Sequence, residues 1–318
     1  MATDLWIYRD PAQPIHRRVE DLLSRMTLAE KIGQLNMPIP WPPGASEELG
    51  RPMPCTPEDC EQLAVGAYTG DIGPVGCFFG LGEHVRLSMG VREQTALANR
   101  LQALAVEETR LGIPLLMTEE GTHGAMVPGA TIFPEGAALG SAWDVGLVQA
   151  VYAAAAAEAR AMGIHQLCTL VVEPNRDPRL GRNCEGYSED PYFCARYAQA
   201  IVAGTQGDDI SAADRVIAAL CHFPGQSQPA SGLERGAMEI SERMLREVFL
   251  PPWVAGIKQA GAGNSDYLCP GLRGRRRGPE RLCRGRAGRP AGRYRARGRR
   301  RETGRDGAGR QRRPGDRG

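Results

Sequence analysis

The 318-residue sequence predicts an α/β protein whose body is an incomplete (β/α)8 barrel, followed by a basic, disordered C-terminal tail. Three observations predict it. Short continuous apolar runs alternate with helix-period segments along residues 1–262, the signature of a parallel sheet covered by helices. Several of those runs end in polar clusters, and the C-terminal strand ends are where such a barrel builds its site. At about Gly263 the composition changes abruptly to Arg, Gly and Pro.

In chain order, residues 17–35 read as two helical stretches joined at Met26-Thr27, with Thr27 and Glu30 spaced as a capping box that starts the second. Helix-period apolar residues follow in 92–109, 144–162 and 241–250. The strand-length runs are Val75–Phe79, Ile113–Met117, Gln166–Val172 and Val216–Leu220. The last three lead into Thr118-Glu119-Glu120, Glu173-Pro174-Asn175 and Cys221-His222. A doubly wound nucleotide-binding sheet needs G-x-G-x-x-G after a strand, and TEEGTHGAMVPG after Met117 does not supply it, so the closed barrel is favoured.

Charge divides the chain in two. Its formal net charge is only +2, from 39 basic and 37 acidic residues. Nineteen of the basic residues, all Arg, and four of the acidic ones fall in 271–318, which leaves 20 basic and 33 acidic residues in 1–270. An acidic body at −13 therefore carries a tail at +15, and the overall balance describes neither part. No apolar run reaches the length of a membrane span, and the N-terminus lacks the basic and apolar regions of a secretory signal, so a cytoplasmic location without membrane contact is expected. The nine Cys are expected to be reduced thiols. No Cys/His spacing suits zinc, and neither a metal nor an organic cofactor is expected.

Three clusters carry the chemistry. Glu119-Glu120-Gly121-Thr122-His123-Gly124 follows a strand; Asn175 to Tyr192 packs Arg176, Arg179 and Arg182 among carboxylates; Cys221-His222-Phe223-Pro224-Gly225 closes a strand. Fixed charges of both signs suit a ligand rich in hydroxyls, because carboxylate and guanidinium groups each read neighbouring OH pairs. His123 suits either the site or a buried backbone partner, and His165 a place between strands. Arg176, Asp177 and Arg179 suit mutual bracing. His16 and His84 have no context that assigns a role.

YRDP, RVEDLLSRMTLAEKIGQL, ETRLGIPLLMTEEGTHG, GATIFPEGAALGSAWD, EARAMGIHQLCTLVVEPNRDPRLGRNCEGYSEDPY and CHFPGQSQPASGLERGAMEISERMLREVFLPPW together resemble glycoside hydrolase family 3, the β-glucosidase and β-xylosidase family, over most of residues 8–262. The resemblance implies retaining hydrolysis of terminal β-linked glucose or xylose, with an oligosaccharide or glycoside as the partner. It implies that Glu120, before Glu119, grips sugar hydroxyls and that Arg182 lines the same subsite. Where the family commonly has Lys-His, this chain has Cys221-His222, and a thiol cannot replace an ammonium donor. A related N-acetylglucosaminidase branch has a His just after the His-Phe-Pro-Gly stretch; Gln226-Ser227 occupy that region here.

The resemblance also implies an Asp nucleophile in a Ser-Asp-Trp or Ser-Asp-Tyr context on a later strand. Ser265-Asp266-Tyr267 offers Asp266 as a candidate, but it follows Ala262 without the intervening strand, Gly-Val-Pro loop and helix of the family. The tail from 263 reads either as a genuine basic arm for nucleic acid or an anionic membrane or, preferably, as a frame-shifted translation or an equivalent gene-model error. With Lys31 and Lys258 the only lysines, the gene is GC-rich. Its CGN arginine codons read from their second base begin with G, and so encode the Val, Ala, Gly, Asp and Glu that missing strands and helices need. Three functions stay open: a family glycosidase, a non-catalytic sugar-binding barrel fragment, and a polyanion-binding protein acting through its tail.

Overall fold

The computed structural model describes residues 6–41, 48, 50, 54–68, 70–82, 89–222, 224–230, 232 and 236–260. Contacts divide the chain into units 1–272 and 273–318, and every described residue lies in the first. His84, Phe223, Asp266 and the basic tail fall outside the described residues.

The described elements are α1 (Ile15–Arg25), α2 (Leu28–Gln34), α3 (Pro57–Val65), β1 (Cys77–Phe79), α4 (Val91–Glu107), β2 (Leu116–Glu120), α5 (Gly136–Ser141), α6 (Val145–Ala161), β3 (Gln166–Val171), α7 (Pro191–Gln206) and β4 (Ile217–Cys221). A final helical run, α8, joins Glu242–Met244, Leu245–Phe249, Leu250–Val254 and Ala255–Gln259. The four strands are parallel and lie in the order β1-β2-β3-β4, so each βα unit places its strand beside the preceding one.

Side-chain alternation gives this sheet two different faces. Phe78, Met117, Leu167, Leu170, Ala218 and Leu220 point to the helical side, where they pack with Leu97 and Leu101 of α4, Ala156 and Ala159 of α6, Tyr197 and Ile201 of α7 and Trp253 of α8. Phe79, Cys168, Ala219 and Cys221 form a separate cluster on the opposite face, joined by Val171 and by Met37 and Ile39. Helices on one face only, with strands in sequential order, make a barrel segment; a doubly wound sheet would reverse its order and bear helices on both faces. The expected fold class is the observed one.

Local sequence explains the elements. Thr27 and Glu30 form the expected capping box: the Glu30 N–H donates to Thr27 Oγ1 at 3.2 Å and the Thr27 N–H to Glu30 Oε2 at 2.8 Å. Gly33 lets α2 lie directly on the lead into β1, where a Cβ would overlap the carbonyls of Gly73 and Pro74. On the free side of β1 the Phe79 N–H donates to the Pro38 carbonyl at 3.1 Å, so residues around Met37 cover that edge. His165 sits where an inter-strand residue was expected. Its N–H donates to Met117 O at 2.9 Å, its Nδ1 accepts from Met117 N–H at 3.1 Å, and its carbonyl accepts from Ile217 N–H at 2.8 Å. Burial lowers its pKa, in keeping with the neutral ring that this acceptor role requires.

Several boundaries differ from the sequence expectation, and β1 and β3 are shorter than expected, at Cys77–Phe79 and Gln166–Val171. β2 lies three residues later than Ile113–Met117 and includes Thr118-Glu119-Glu120, because pairing with Gln166, Leu167 and Cys168 carries the ladder into the polar cluster. β4 likewise includes Cys221. The last helix does not stop at Leu250: Pro251 and Pro252 lack N–H donors, but wider i→i−5 turns on both sides, Leu250 N–H to Leu245 O and Ala260 N–H to Ala255 O, carry it past them. The seven described cysteines are free thiols, as expected.

Candidate active site

The C-terminal ends of β2, β3 and β4 carry the three clusters. Adjacent Glu119 and Glu120 must point to opposite faces of β2. Glu120 pairs in register with Cys168, and Cys168 belongs to the inner-face cluster, so Glu120 lies on the inner face. Glu119 lies on the helical side, 1% exposed, where its Oε1 accepts from the Gly82 N–H at 2.7 Å and fixes the segment after β1. The two carboxylates therefore have separate tasks, and Glu120 is the one aimed at the barrel interior.

Cys221 ends β4 on the same inner face, two strands from Glu120 and thus about 10 Å across the sheet at the usual strand spacing. Its peptide to His222 is cis, and His222 is half-buried at the start of the following loop. Arg182 lies in the segment after β3, half-buried, with Nε and Nη2 bonded to the two oxygens of Glu185 at 2.7 and 2.8 Å. That bidentate pair fixes the guanidinium plane. Asp177 and Arg179 chelate one another, Nη2 to Oδ2 at 2.6 Å, and the guanidinium holds the Asp177 carboxyl down at about 2. These two residues brace the loop as the sequence suggested.

The loops are stitched to one another by buried groups. Tyr152 of α6 donates its hydroxyl to the Thr122 carbonyl at 2.6 Å and also meets the Tyr187 hydroxyl. Since the Tyr152 proton is already committed, Tyr187 is the donor in the second bond. Burial raises both phenol pKa values. The Ala137 N–H donates to Cys184 O at 2.9 Å, and a Cβ at Gly140 would overlap the Tyr187 carbonyl, so the β2 and β3 loops run in direct contact. His123 Nε2 lies 3.4 Å from Glu135 Oε1 within the β2 loop, and the His123 carbonyl accepts from Phe133 N–H at 2.8 Å.

Glu173 is the site residue that the sequence did not single out. It follows β3 at 3% exposure, and its carboxylate accepts from three consecutive backbone N–H groups of the β4 loop: Gly225, Gln226 at 3.2 Å and Ser227 at 2.8 Å. Burial pushes its pKa up, while the three donors pull the other way. Its only sequence signal is a carboxylate directly after an apolar strand; its partners stand more than fifty residues later and no spacing rule connects them.

The assembled geometry is an inner-face carboxylate, a paired arginine and a histidine at neighbouring strand ends, held by loops that fasten one another. Carboxylate and guanidinium groups are chemically suited to hydrogen bonds with neighbouring hydroxyls. No helix among the described residues is long and apolar enough to cross a membrane.

Comparison with known proteins agrees with this architecture. Residues 27–274 match the model of the glycosyl hydrolase family 3 N-terminal domain. A β-xylosidase of Formosa agariphila is 37% identical over 167 residues, covering 49% of this chain and 22% of the relative. The structure of a β-glucosidase from Erythrobacter marinus superposes with a TM-score of 0.65 at 28% identity, over 83% of this chain and 33% of that one. A mutant β-glucosidase from Listeria innocua in complex with laminaribiose superposes with a TM-score of 0.62 at 28% identity, over 78% and 32%. The chain thus spans between about a fifth and a third of the length of these relatives. With the matched segment covering the whole described sheet and its loops, the chain belongs to glycosyl hydrolase family 3, as its N-terminal domain.

Proposed function

We propose that this chain supplies the subsite for the terminal sugar in a retaining glycosidase that removes β-linked glucose or xylose from glycosides. The observation that carries the proposal is the placement of Glu120 on the inner face, in register with Cys168 and on the same face as Cys221, while Glu119 is spent on Gly82. In this role Glu120 accepts from hydroxyls of the sugar and Arg182, oriented by Glu185, donates to them. His222 contributes a ring N–H beside Cys221. The thiol replaces the ammonium group expected there, so sugar affinity is lower than a Lys-His pair would give.

Retaining hydrolysis needs a nucleophile and an acid/base about 5–5.5 Å apart. Asp266 is the candidate nucleophile in the sequence, and its spacing of three residues after Ala262 favours a second reading: sugar binding without turnover. Hydrolysis of an aryl β-glucoside or β-xyloside separates the two. Turnover abolished by Asp266→Asn supports the enzyme; binding of glucose or xylose without turnover, lost in Glu120→Ala or Arg182→Ala, supports the binding fragment.

We infer further that the glycosidase domain occupies residues 1–262 and that the Arg-rich sequence beyond it is read out of frame. The composition changes to Arg, Gly and Pro from about Gly263, and the family match runs to residue 274.

A further inference from the structure

The rim of the same strand ends carries an aromatic patch that the sugar subsite does not use. Trp143 is 68% exposed and Tyr192 is 67% exposed, although both are large and apolar. Trp143 stands in the turn between α5 and α6, and Tyr192 in the first turn of α7. Both helices run back against the strands, so their N-termini lie at the end of the sheet that bears Glu120, Glu173 and His222.

Two features mark this patch as built. Trp143 has φ 54°, a left-handed conformation that bulky L-residues rarely adopt and that a turn of this kind ordinarily gives to Gly or Asn. The strain projects the indole into solvent. The exposed rings are also held by a continuous aromatic line: Trp143 and Tyr192 each stand edge-on to Phe193, at 4.4 and 5.9 Å between centroids and 79° in both cases. Phe193 continues to Tyr197 at 6.2 Å, Tyr197 to Tyr187 at 5.5 Å, and Tyr187 to Tyr152, which bonds Thr122 at the end of β2. The platform is thereby anchored to the loop that follows Glu120.

Its chemical surroundings select the ligand. Asp144 follows Trp143 directly and Asp190 stands two residues before Tyr192; they cap α6 and α7 and are exposed. Carboxylates repel anionic polymers and accept from hydroxyls, while an exposed indole face matches the C–H face of a pyranose ring.

We propose that Trp143 and Tyr192 form a second carbohydrate site that holds a neutral β-glucan or xylan chain outside the subsite of Glu120. The inference rests on the glycosidase reading, since it takes the polymer to be the source of the terminal sugar.

Native affinity electrophoresis of the full chain in gels cast with laminarin, mixed-linkage β-glucan or xylan tests it. The unmodified chain is retarded by at least one of the three. Trp143→Ala with Tyr192→Ala weakens that retention about fivefold to tenfold, the size expected for losing stacked rings. Trp143→Phe retains most of it, and Glu120→Gln, which acts only on chain ends, lowers it less than the double variant does. Should the turn not tolerate loss of Trp143, Tyr192→Ala alone keeps the turn and still weakens retention. Absence of retardation on all three polymers overturns the proposal, as does retention by the double variant equal to that of the unmodified chain. Retention lost on Glu120→Gln alone also overturns it, while leaving the proposed sugar subsite intact. A change of oligomeric state in the double variant without a change in retention would instead make the patch a protein contact.

Discussion

The Glu173 carboxylate accepts a hydrogen bond from the Ser227 N–H at 2.8 Å and, with Gly225 and Gln226, ties the end of β3 to the loop that follows β4. One buried side chain thus sets the path of the segment that begins with Cys221-His222. A carboxylate is the only side chain that offers two acceptor oxygens and no donor, which is what three N–H groups in a row require.

Glu173→Gln keeps the size and replaces one acceptor with a donor. At least one of the three N–H groups then loses its partner, at a cost of about 1–3 kcal/mol in urea denaturation. The pH dependence is specific. Because the folded pKa is raised above the ordinary 4.5, the stability Glu173 contributes through it is fully present below about 4.5 and is lost as pH rises through the raised value. The wild-type chain therefore loses stability relative to Glu173→Gln across that window. A difference between the two that stays constant with pH contradicts the raised pKa.

The two tyrosines at the loop junction are not equivalent. Tyr152→Phe removes the donor to the half-buried Thr122 carbonyl and the acceptor for the buried Tyr187 hydroxyl. Tyr187→Phe leaves the Tyr152–Thr122 bond in place. The first substitution destabilises by about 2–4 kcal/mol and the second by about 1 kcal/mol, measured by thermal or chemical unfolding. Equal losses would mean that the proton assignment is wrong.

The barrel segment and the face of the site were legible in the sequence because they rest on local rules. Continuous apolar runs located β1 to β4, the Thr27–Glu30 spacing located α2, and the period-2 rule separates Glu119 from Glu120 once β2 is known to include them. α3, α5 and α7 are not among the segments that the sequence marks as helical. α7 carries its buried face at Cys194, Tyr197, Ala198, Ile201 and Val202, a helical spacing of small, aromatic and aliphatic residues, and its start is marked by Asp190 before Pro191, a cap followed by proline at the first helical position. α3 carried the same signature in Thr56, Pro57 and Asp59. The pairing of Arg182 with Glu185 was close enough in sequence to read as an i,i+3 contact, whereas the Glu173 clamp and the Tyr152–Tyr187 bond join residues 35 to 54 positions apart and follow only from the closing of the sheet.

Reading the gene decides the boundary proposal. After the codon for Ala262 an alternative frame encodes a strand-like apolar run, a Tyr-containing loop and Gly-Val-Pro. If neither alternative frame does so, the Arg-rich sequence is genuine and the +15 segment regains its reading as a polyanion-binding arm.

The assignment of the inner-face carboxylate is tested most directly by titrating the full chain with glucose and with xylose by ligand-observed NMR, for the unmodified protein and for Glu120→Gln. The account predicts that at least one of the sugars binds and that Glu120→Gln weakens it about tenfold or more, since charge-assisted bonds to hydroxyls are worth about 1.5–3 kcal/mol each. Equal binding by the two proteins, or no binding of either sugar to the unmodified chain, would contradict it.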